Sequence, residues 1–369
     1  MRKMDDRSQM MNRSGLLEET IDAIRPADEQ VMKNCRKRWN QIGKPLYSLG
    51  WLEDAWIRIA GAVGTEDPEI EKKIVIPFCA DNGIVEEGVS QAGQEVTAIV
   101  AENFLKGKTC TNLFCQRSGA DLRPVDVGMM TEVPGLLTRK VRRGTRNFAL
   151  EPALTMEETV RTIETGIRTA REAREEGYQL AAAGEMGIGN TTTSAAVAAS
   201  LLNLPAEKMT GRGAGLHDDG LRKKVRLIGE AIRRYDLYDA PVLRVLSCVG
   251  GLDIAAMTGF YLGAASVRLP VVLDGLISCT AALAAVRLCP AAAGYMTASH
   301  LSSENAAEAI LEACHLKPVL HADMHLGEGS GAAAVFPLLD MASDVYRKMD
   351  TFEGIRVSTY EDYQKGGRK

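Results

Sequence analysis

The sequence predicts an α/β protein with a Rossmann-like, mainly parallel sheet that helices cover on both faces. From residue 73 onward, short apolar runs alternate with longer amphipathic segments, which is the pattern of βαβ units. Glycine accounts for 35 of the 369 residues and proline for only 13, which favours tight strand-to-helix turns over flexible linkers. The N-terminal 65 residues carry helical periodicity alone, so a helical segment is expected to precede the sheet.

The elements follow in order from these patterns. Apolar residues recur every three to four positions in residues 18–24, 27–39 and 51–64, which predicts three N-terminal helices. Strands are predicted where short apolar runs end in Gly or Asp turns, at 74–80, 122–127, 179–183, 270–273 and 294–298. Helices are predicted in the amphipathic or Ala-rich segments at 94–105, 156–176, 192–202, 220–235, 254–267, 275–288, 303–313 and 332–349.

Composition excludes several classes of function. The chain has 44 basic and 48 acidic residues, so no strong attraction to nucleic acid or to an anionic membrane is built in. Its eight cysteines are widely scattered without a CxxC pair, which argues against a disulfide framework and a zinc ribbon. The N-terminus lacks the apolar core of a secretory signal, and the longest uncharged stretch, 186–206, is too polar to span a bilayer. We expect a cytoplasmic protein.

The turns after the predicted strands carry the candidate chemistry. In an open α/β sheet the ligand binds beyond the carboxyl ends of the strands. Those turns are CADNG, VDVGM, GEMGIGNTTT, LDG and ASHLSSE, and each has a polar side chain where the strand would release the chain.

GEMGIGNTTT is the most informative of these turns. Three glycines follow an apolar run, and hydroxyl side chains then open a helix, so backbone N–H groups and the helix N-terminus can hold a phosphate there. The alternative is that Asn190 or Thr191 simply caps the helix. The spacing is neither the dinucleotide GxGxxG fingerprint nor a Walker loop.

HLGEGSGAA places Glu328 between two glycines, which give a ligand close access to the carboxylate, as a general base requires. The alternative is a helix-start carboxylate favoured by the helix dipole. A metal-binding face of His321, His325 and Glu328 is a third interpretation, which the flanking glycines and the absence of HExxH disfavour.

A basic helix start follows the glycine-rich loop at 211–216. Arg222, Lys223, Lys224 and Arg226 lie on its first turns, where a bound anion would relieve their repulsion by the dipole. The alternative is a solvated face balanced by nearby aspartates, and it is preferred for three of the four residues.

Eight motifs together resemble the nicotinate-nucleotide:dimethylbenzimidazole phosphoribosyltransferase family of cobalamin nucleotide-loop assembly. In chain order they are CADNGIVEEGVS, VDVG, GEMGIGNTTT, GRGAGL, VGGLDIAAMTGFYLGAA, LPVVLDGLISCTAALAA, ASHLSSE and HLGEGSGAA. The resemblance covers roughly residues 40–345. It implies a homodimer with a Rossmann-like catalytic domain, residues 66–345, and a small helical domain built from residues 1–65 and about 346–369.

The resemblance also implies a reaction. The phosphoribosyl group of nicotinate mononucleotide moves to a benzimidazole nitrogen, which gives α-ribazole 5′-phosphate and nicotinate. The pyridinium-type nitrogen is already a good leaving group, so neither a metal nor a cofactor is expected. One carboxylate takes the N–H proton of the incoming base, and a second stabilises positive charge on the sugar.

By motif position, the resemblance makes Glu328 the general base and Glu185 the second carboxylate. The phosphate and ribose site is implied to contain Gly187, Ile188, Gly189, Asn190, Thr191, Thr192, Thr193, Gly213 and Lys224. The acceptor-base pocket is implied to contain Asp81, Asn82, Ser90, Gln94, His325 and Leu326.

Three positions depart from the family pattern on the acceptor side. Asn82 stands where ADHG has its histidine, Leu46 and Tyr47 stand in KPLYSLG where the family has KPPGSLG, and His325 replaces an arginine. Adenine or a phenol therefore stays open as the acceptor. A non-catalytic nucleotide-binding module and a metal-dependent hydrolase are the alternatives from other classes.

Overall fold

The structure of the protein is a computed structural model that describes residues 15–362. The outermost parts of the predicted helical domain, residues 1–14 and 363–369, lie outside the described residues.

The described chain begins with helices and continues as alternating strands and helices. The N-terminal helices are α1 (Leu16–Ala23), α2 (Glu29–Gln41) and α3 (Trp51–Val63). They are followed by β1 (Lys73–Ala80), α4 (Glu95–Leu105), α5 (Cys110–Ser118), β2 (Ala120–Leu122), β3 (Val125–Gly128), β4 (Leu137–Thr138), α6 (Met156–Glu175), β5 (Leu180–Met186), α7 (Asn190–Leu202), α8 (Ala206–Met209), α9 (Asp218–Tyr235), α10 (Val242–Val249), α11 (Leu252–Ser266), β6 (Val271–Leu273), α12 (Leu276–Leu288), β7 (Met296–Ala298), α13 (Ala307–Ala313) and α14 (Ser330–Lys348). Short 3₁₀ helices lie at Gly83–Glu87 and Pro290–Tyr295.

The seven strands form one sheet in the order β4-β3-β1-β5-β6-β7, with β2 beside the first residues of β1. Every pairing in the sheet is parallel, which confirms the predicted fold class. The single strand predicted at 122–127 is wrong, because it is two strands, β2 and β3, that pair with successive parts of β1. Pro124 lies at the break, and a proline has no N–H to donate to a ladder.

The strand order reverses at β1. The chain first builds β3 and β4 on one side of β1 and then crosses to place β5 on the other side. A crevice opens at such a switch point, beyond the carboxyl ends of the strands. The ends of β1 and β5 are therefore where a site is expected.

One face of the sheet is covered by α2, α3, α5 and α14. Their aromatic centre is Tyr346, whose ring lies 5.1 Å from that of Trp39 and 5.6 Å from that of Trp56, and this cluster also buries Val75 and Ala182 of the sheet. An N-terminal and a C-terminal part of the described chain meet here, where Ile42 and Thr351 form an antiparallel bridge. Helix α1 packs instead against α6 and α11. The predicted domain boundaries stay a prediction.

The other face is covered by α6, α7, α10, α11 and α12. Helix α11 is buried almost all round, between α6 and the sheet. Glycines allow its close approach to α6, since a Cβ at Gly166 would lie 1.8 Å from the carbonyl of Ala256, and one at Gly259 would lie 1.8 Å from that of Ile163. This packing fixes the first turn of α11 at the ends of the central strands.

Most predicted helices are found within about two residues of their predicted ends, although α13 begins at Ala307 rather than at 303. Helices α5, α8 and α10 and strand β4 were not predicted. No helix within residues 15–362 has the length and apolar character needed to cross a membrane.

Candidate active site

A cavity of about 680 Å³ lies at the carboxyl ends of β5 and β6. The glycine-rich turn after β5, the loop at 213–215, the turn after β6 and the loop before α14 form its walls. Both predicted carboxylates, Glu185 and Glu328, line it.

Glu185 and Glu328 are in contact in the wall of this cavity, through the backbone N–H of Glu328. Glu185 is near the end of β5, and Glu328 lies in the loop before α14 with a φ of +63°. The backbone N–H of Glu328 donates a 3.4 Å hydrogen bond to Oε1 of Glu185. Two glycines allow this approach: a Cβ at Gly184 would lie 2.3 Å from the carbonyl oxygen of Glu328, and one at Gly327 would lie 2.2 Å from Oε1 of Glu185.

The carboxylate of Glu328 is half-buried and is oriented by the hydroxyl of Thr111. Oγ1 of Thr111, on α5, donates a 3.2 Å hydrogen bond to its Oε2. Burial raises the pKa of Glu328, and the bond from Thr111 opposes that rise. A carboxylate with a raised pKa at a cavity wall is a better proton acceptor near neutral pH than a solvated one.

The N-terminus of α14 is held by Asp274 rather than by Glu328. Oδ2 of Asp274 accepts from the N–H of Gly329 at 3.0 Å, and Oδ1 accepts from Gly331 at 2.7 Å. Asp274 is only 1% exposed at the end of β6, and burial raises its pKa while the charge of His300 opposes the rise. The helix-start interpretation of Glu328 is therefore not supported, because its side chain bonds Thr111 instead.

Glu185 is linked through Asn190 to a second buried carboxylate, Asp253, which sequence analysis missed. Nδ2 of Asn190 donates to Oε2 of Glu185 and also, at 3.0 Å, to Oδ2 of Asp253 in the first turn of α11. Burial, and next the charge of Asp253, raise the pKa of Glu185 to about 8. Asp253 lies in the VGGLDIAAMTGFYLGAA motif, but nothing in its local sequence signals this role.

The glycine-rich turn leaves the N-terminus of α7 open toward the cavity. Gly189, with a φ of +92°, precedes the helix, and in the described chain no side chain caps it. The capping alternative is wrong, because the side chain of Asn190 is directed at the two carboxylates, and Oγ1 of Thr191 accepts from Nζ of Lys224 at 2.9 Å. The N–H groups of Asn190 and Thr192 donate to the carbonyls of Gly187 and Gly189, at 3.0 and 2.9 Å. An anion at this position would meet the positive end of the helix dipole and the other N–H groups of the first turn.

Lys224 contacts this turn on the side away from the cavity, through Thr191. It is fully buried, and Nζ donates to the carbonyl of Gly211 at 3.2 Å as well as to Thr191. Burial lowers its pKa to about 8, against a raising effect of Glu304. The neighbouring Arg222 is exposed and paired with Asp219, as a solvated helix face would be.

The predicted phosphate and ribose residues divide into two groups. Cavity-lining members are Gly187, Ile188, Gly189, Asn190, Thr191 and Gly213. Fully buried members beneath that wall are Thr192, Thr193 and Lys224. Oγ1 of Thr193 donates to the carbonyl of Asn190 at 2.9 Å, so it stabilises the turn.

The predicted acceptor residues divide in the same way. Ser90, His325 and Leu326 line the cavity. Asn82 is fully buried behind the wall, its Nδ2 lies 3.5 Å from the carbonyl of Ile188, and its own carbonyl accepts from Nε2 of Gln94 at 3.1 Å. The carboxylate of Asp81, also buried, accepts from the N–H of Met130 at 2.7 Å.

Two further sequence predictions concern metal binding and the KPLYSLG segment. Within residues 15–362, no three or more His, Cys, Asp and Glu side chains are grouped as metal ligands are. Nδ1 of His325 lies 3.1 Å from Oγ of Ser303 instead.

Tyr47 has a φ of +60°, where the family pattern has glycine, and its hydroxyl donates to Asp362 at 2.7 Å. Neither Leu46 nor Tyr47 is among the described residues that line the cavity.

Comparison with known proteins gives a consistent set of relatives. A family model described as "Phosphoribosyltransferase" matches residues 24–357. The nicotinate-nucleotide–dimethylbenzimidazole phosphoribosyltransferase of Acetivibrio thermocellus is 43% identical over 350 residues, which cover 94% of this chain and 99% of that protein. The enzyme of the same name from Ruminiclostridium cellulolyticum is 44% identical over 346 residues, covering 93% and 98%. A crystal structure of CobT from Thermus thermophilus superposes on this chain with a TM-score of 0.86 at 41% identity. The superposition covers 90% of this chain and 100% of the CobT chain.

Proposed function

The chain belongs to the nicotinate-nucleotide–dimethylbenzimidazole phosphoribosyltransferase family, and we propose that Glu328, Glu185 and the turn around Gly189 carry out the reaction that this name describes. The enzyme transfers the phosphoribosyl group of nicotinate mononucleotide to dimethylbenzimidazole, a step in assembling the cobalamin lower ligand. Family membership makes the chain an enzyme rather than a non-catalytic nucleotide-binding module.

The observation that carries the proposal is that the backbone N–H of Glu328 contacts the carboxylate of Glu185 beside a helix N-terminus that has no side-chain cap. The amide of Glu328 bonds Oε1 of Glu185 at 3.4 Å, and both side chains line the cavity that Gly189 also lines. The region of the cavity near Gly189 is thus suited to an anion, and the region near Glu185 and Glu328 is suited to a cation and to proton transfer.

The donor's phosphate is proposed to bind at the start of α7. The first residues of that helix line the cavity, and Lys224 supplies a cation behind Thr191. A phosphate at this position orients the ribose so that its anomeric carbon faces the carboxylates.

Glu328 is proposed to be the general base. One azole nitrogen uses its lone pair to form the new bond to the anomeric carbon, and the other gives its N–H proton to the carboxylate of Glu328. The electron pair of the broken bond leaves with the nicotinate nitrogen, which becomes neutral. The raised pKa of Glu328 brings it closer to the working pH and so favours proton acceptance.

Glu185 is proposed to stabilise the positive charge that develops on the sugar. Its carboxylate lies beside the amide of Glu328 and is directed by Asn190, so it is fixed before the reaction starts. The homodimer and the cytoplasmic location also remain proposals, and sedimentation analysis of the purified protein tests the first.

The direct test is to incubate the purified protein with nicotinate mononucleotide and 5,6-dimethylbenzimidazole and to quantify nicotinate and α-ribazole 5′-phosphate by chromatography. Equal amounts of the two products are expected. A panel with adenine and a phenol in place of the benzimidazole compares kcat/KM between acceptors. Donor binding without release of nicotinate would contradict the proposed function, and a higher kcat/KM for adenine or a phenol would contradict the acceptor.

A further inference from the structure

One amide nitrogen joins two buried carboxylates beneath the cavity. Nδ2 of Asn190 donates to Oε2 of Glu185 and to Oδ2 of Asp253, the latter at 3.0 Å. Glu185 is 6% exposed and Asp253 is fully buried. In the described part of the chain, no cationic side chain is among the groups that shift the pKa of either carboxylate.

Backbone N–H groups and further titratable side chains surround this pair. Backbone N–H groups contribute one bond to each carboxylate, from Glu328 to Glu185 at 3.4 Å and from Ile254 to Asp253 at 2.9 Å. The titratable side chains that face the pair are Asp274 at the end of β6, Cys79 and Asp81 at the end of β1, and, on the far side of Asp274, His300.

Two buried carboxylates that accept from the same amide nitrogen resist being ionised together near neutral pH, because each charge repels the other and both have lost their hydration. A single shared proton resolves the conflict. Burial, and next the charge of Asp253, raise the pKa of Glu185 to about 8, and burial raises that of Asp253 to about 6. The bridging amide donates to Oε2 of Glu185 and to Oδ2 of Asp253 whichever carboxylate carries the proton.

We propose that Glu185 and Asp253 hold one proton between them in the free enzyme and release it to solvent when the cationic donor enters the cavity. The inference rests on the proposed function, in which Glu185 faces the reacting sugar of a pyridinium nucleotide. The positive ring nitrogen of the donor replaces the proton as the counter-charge, so Glu185 is ionised when the sugar becomes cationic. Asp253 and Asn190 are then positioning residues, which act through Glu185.

The proton leaves through the cavity, since Glu185 lines it. Isothermal titration of the enzyme with nicotinate mononucleotide, repeated at about pH 7 in buffers of different ionisation enthalpy, counts the protons released on binding. We expect ~1 proton per site, and a smaller number as the pH rises above the pKa of Glu185. The donor's phosphate and Lys224, whose pKa burial lowers to about 8, also exchange protons on binding, and this background is equal in every variant because neither group is changed.

Three variants identify the source of the proton. Glu185→Gln is expected to reduce the release to the background. Asp253→Asn keeps the shape of the side chain but removes its charge, so the pH at which half of the proton is released shifts downward. Glu328→Gln serves as the matched control, because the pair does not contain its side chain, and ~1 proton is still expected.

The outcomes separate the two proposals. Donor binding without net proton release in the wild-type enzyme overturns this inference and leaves the proposed function intact. Release that is unchanged in Glu185→Gln and Asp253→Asn, or lost in Glu328→Gln, also overturns it. An enzyme that does not bind nicotinate mononucleotide overturns the proposed function and, with it, this inference.

Discussion

The carboxylate of Asp274 accepts a 2.7 Å hydrogen bond from the backbone N–H of Gly331. Its other oxygen accepts from Gly329 at 3.0 Å, so one buried side chain from β6 fixes the start of α14. Glu328 directly precedes these residues in a left-handed conformation, and its orientation in the cavity depends on this attachment.

Replacing Asp274 is therefore expected to affect catalysis as well as stability. In Asp274→Ala, three buried N–H groups, those of Gly329, Gly331 and Ala332, lose their acceptor. Each group left unsatisfied costs about 1–3 kcal/mol of the free energy of unfolding. We also expect kcat to fall by at least ~10-fold, because Glu328 loses its fixed position. Denaturant unfolding and steady-state kinetics measure the two effects. Asp274→Asn retains one acceptor oxygen, so its stability and its kcat should lie between those of the wild-type enzyme and those of Asp274→Ala. A destabilised Asp274→Ala enzyme with wild-type kcat would show that Glu328 is oriented by other contacts.

Glu328→Gln isolates proton transfer from binding. The amide keeps the size of the side chain and can still accept from Thr111, but it cannot take a proton at neutral pH. We expect kcat to fall by ~10²- to 10⁴-fold with donor affinity nearly unchanged. Glu312→Gln, at an exposed position on α13, is the control for removal of one negative charge. Turnover by Glu328→Gln within a few-fold of the control would exclude it as the general base.

Parts of the fold were predictable because buried parallel strands leave a strong pattern. Strands β1 and β5 are apolar along most of their length and end in polar, glycine-rich turns, so both were predicted to within a few residues. Strand β4 is an exposed pair of residues, Leu137 and Thr138, which is too short to leave any periodicity. Helix α8 spans only four residues and is missed for the same reason.

The site was predictable where its signal is local. Glycines around Glu328 and before Asn190 mark turns that local sequence alone reveals. Asp253 and Thr111 carry no such mark, because their partners lie 63 and 217 residues away along the chain. Only the packing of α11 and α5 around the sheet brings these side chains to the carboxylates.

Lys224 gives donor binding a pH dependence. Burial lowers its pKa to about 8, so the free enzyme loses this charge as the pH rises through that value. A bound phosphate favours the protonated lysine, and the complex therefore retains the proton to higher pH. Donor affinity should then fall above about pH 8, by up to ~10-fold per pH unit.

Lys224→Met removes the charge and keeps most of the volume. We expect at least a ~10-fold weaker donor affinity at about pH 7 and no further loss of affinity above about pH 8. Nicotinate riboside, which lacks the phosphate, should bind the wild-type enzyme and the variant equally, and titration calorimetry compares the two ligands. Equal weakening for both ligands would indicate that the lysine only supports the fold.

Alanine substitutions of two helical glycines should have opposite effects on stability, because Gly259 lies in the contact between α6 and α11 and Gly229 does not. A Cβ at Gly259 would lie 1.8 Å from the carbonyl oxygen of Ile163, so Gly259→Ala must push the two helices apart and should lower the free energy of unfolding by about 3 kcal/mol. Gly229, inside α9, is the matched control, because the nearest atom to its Cβ is the side-chain end of Arg233 at 3.5 Å. Gly229→Ala should raise the free energy of unfolding by about 0.5–1 kcal/mol, since alanine loses less backbone entropy in a helix. Denaturant unfolding of both variants measures this difference, and a Gly259→Ala protein as stable as wild type would show that the helices separate without cost.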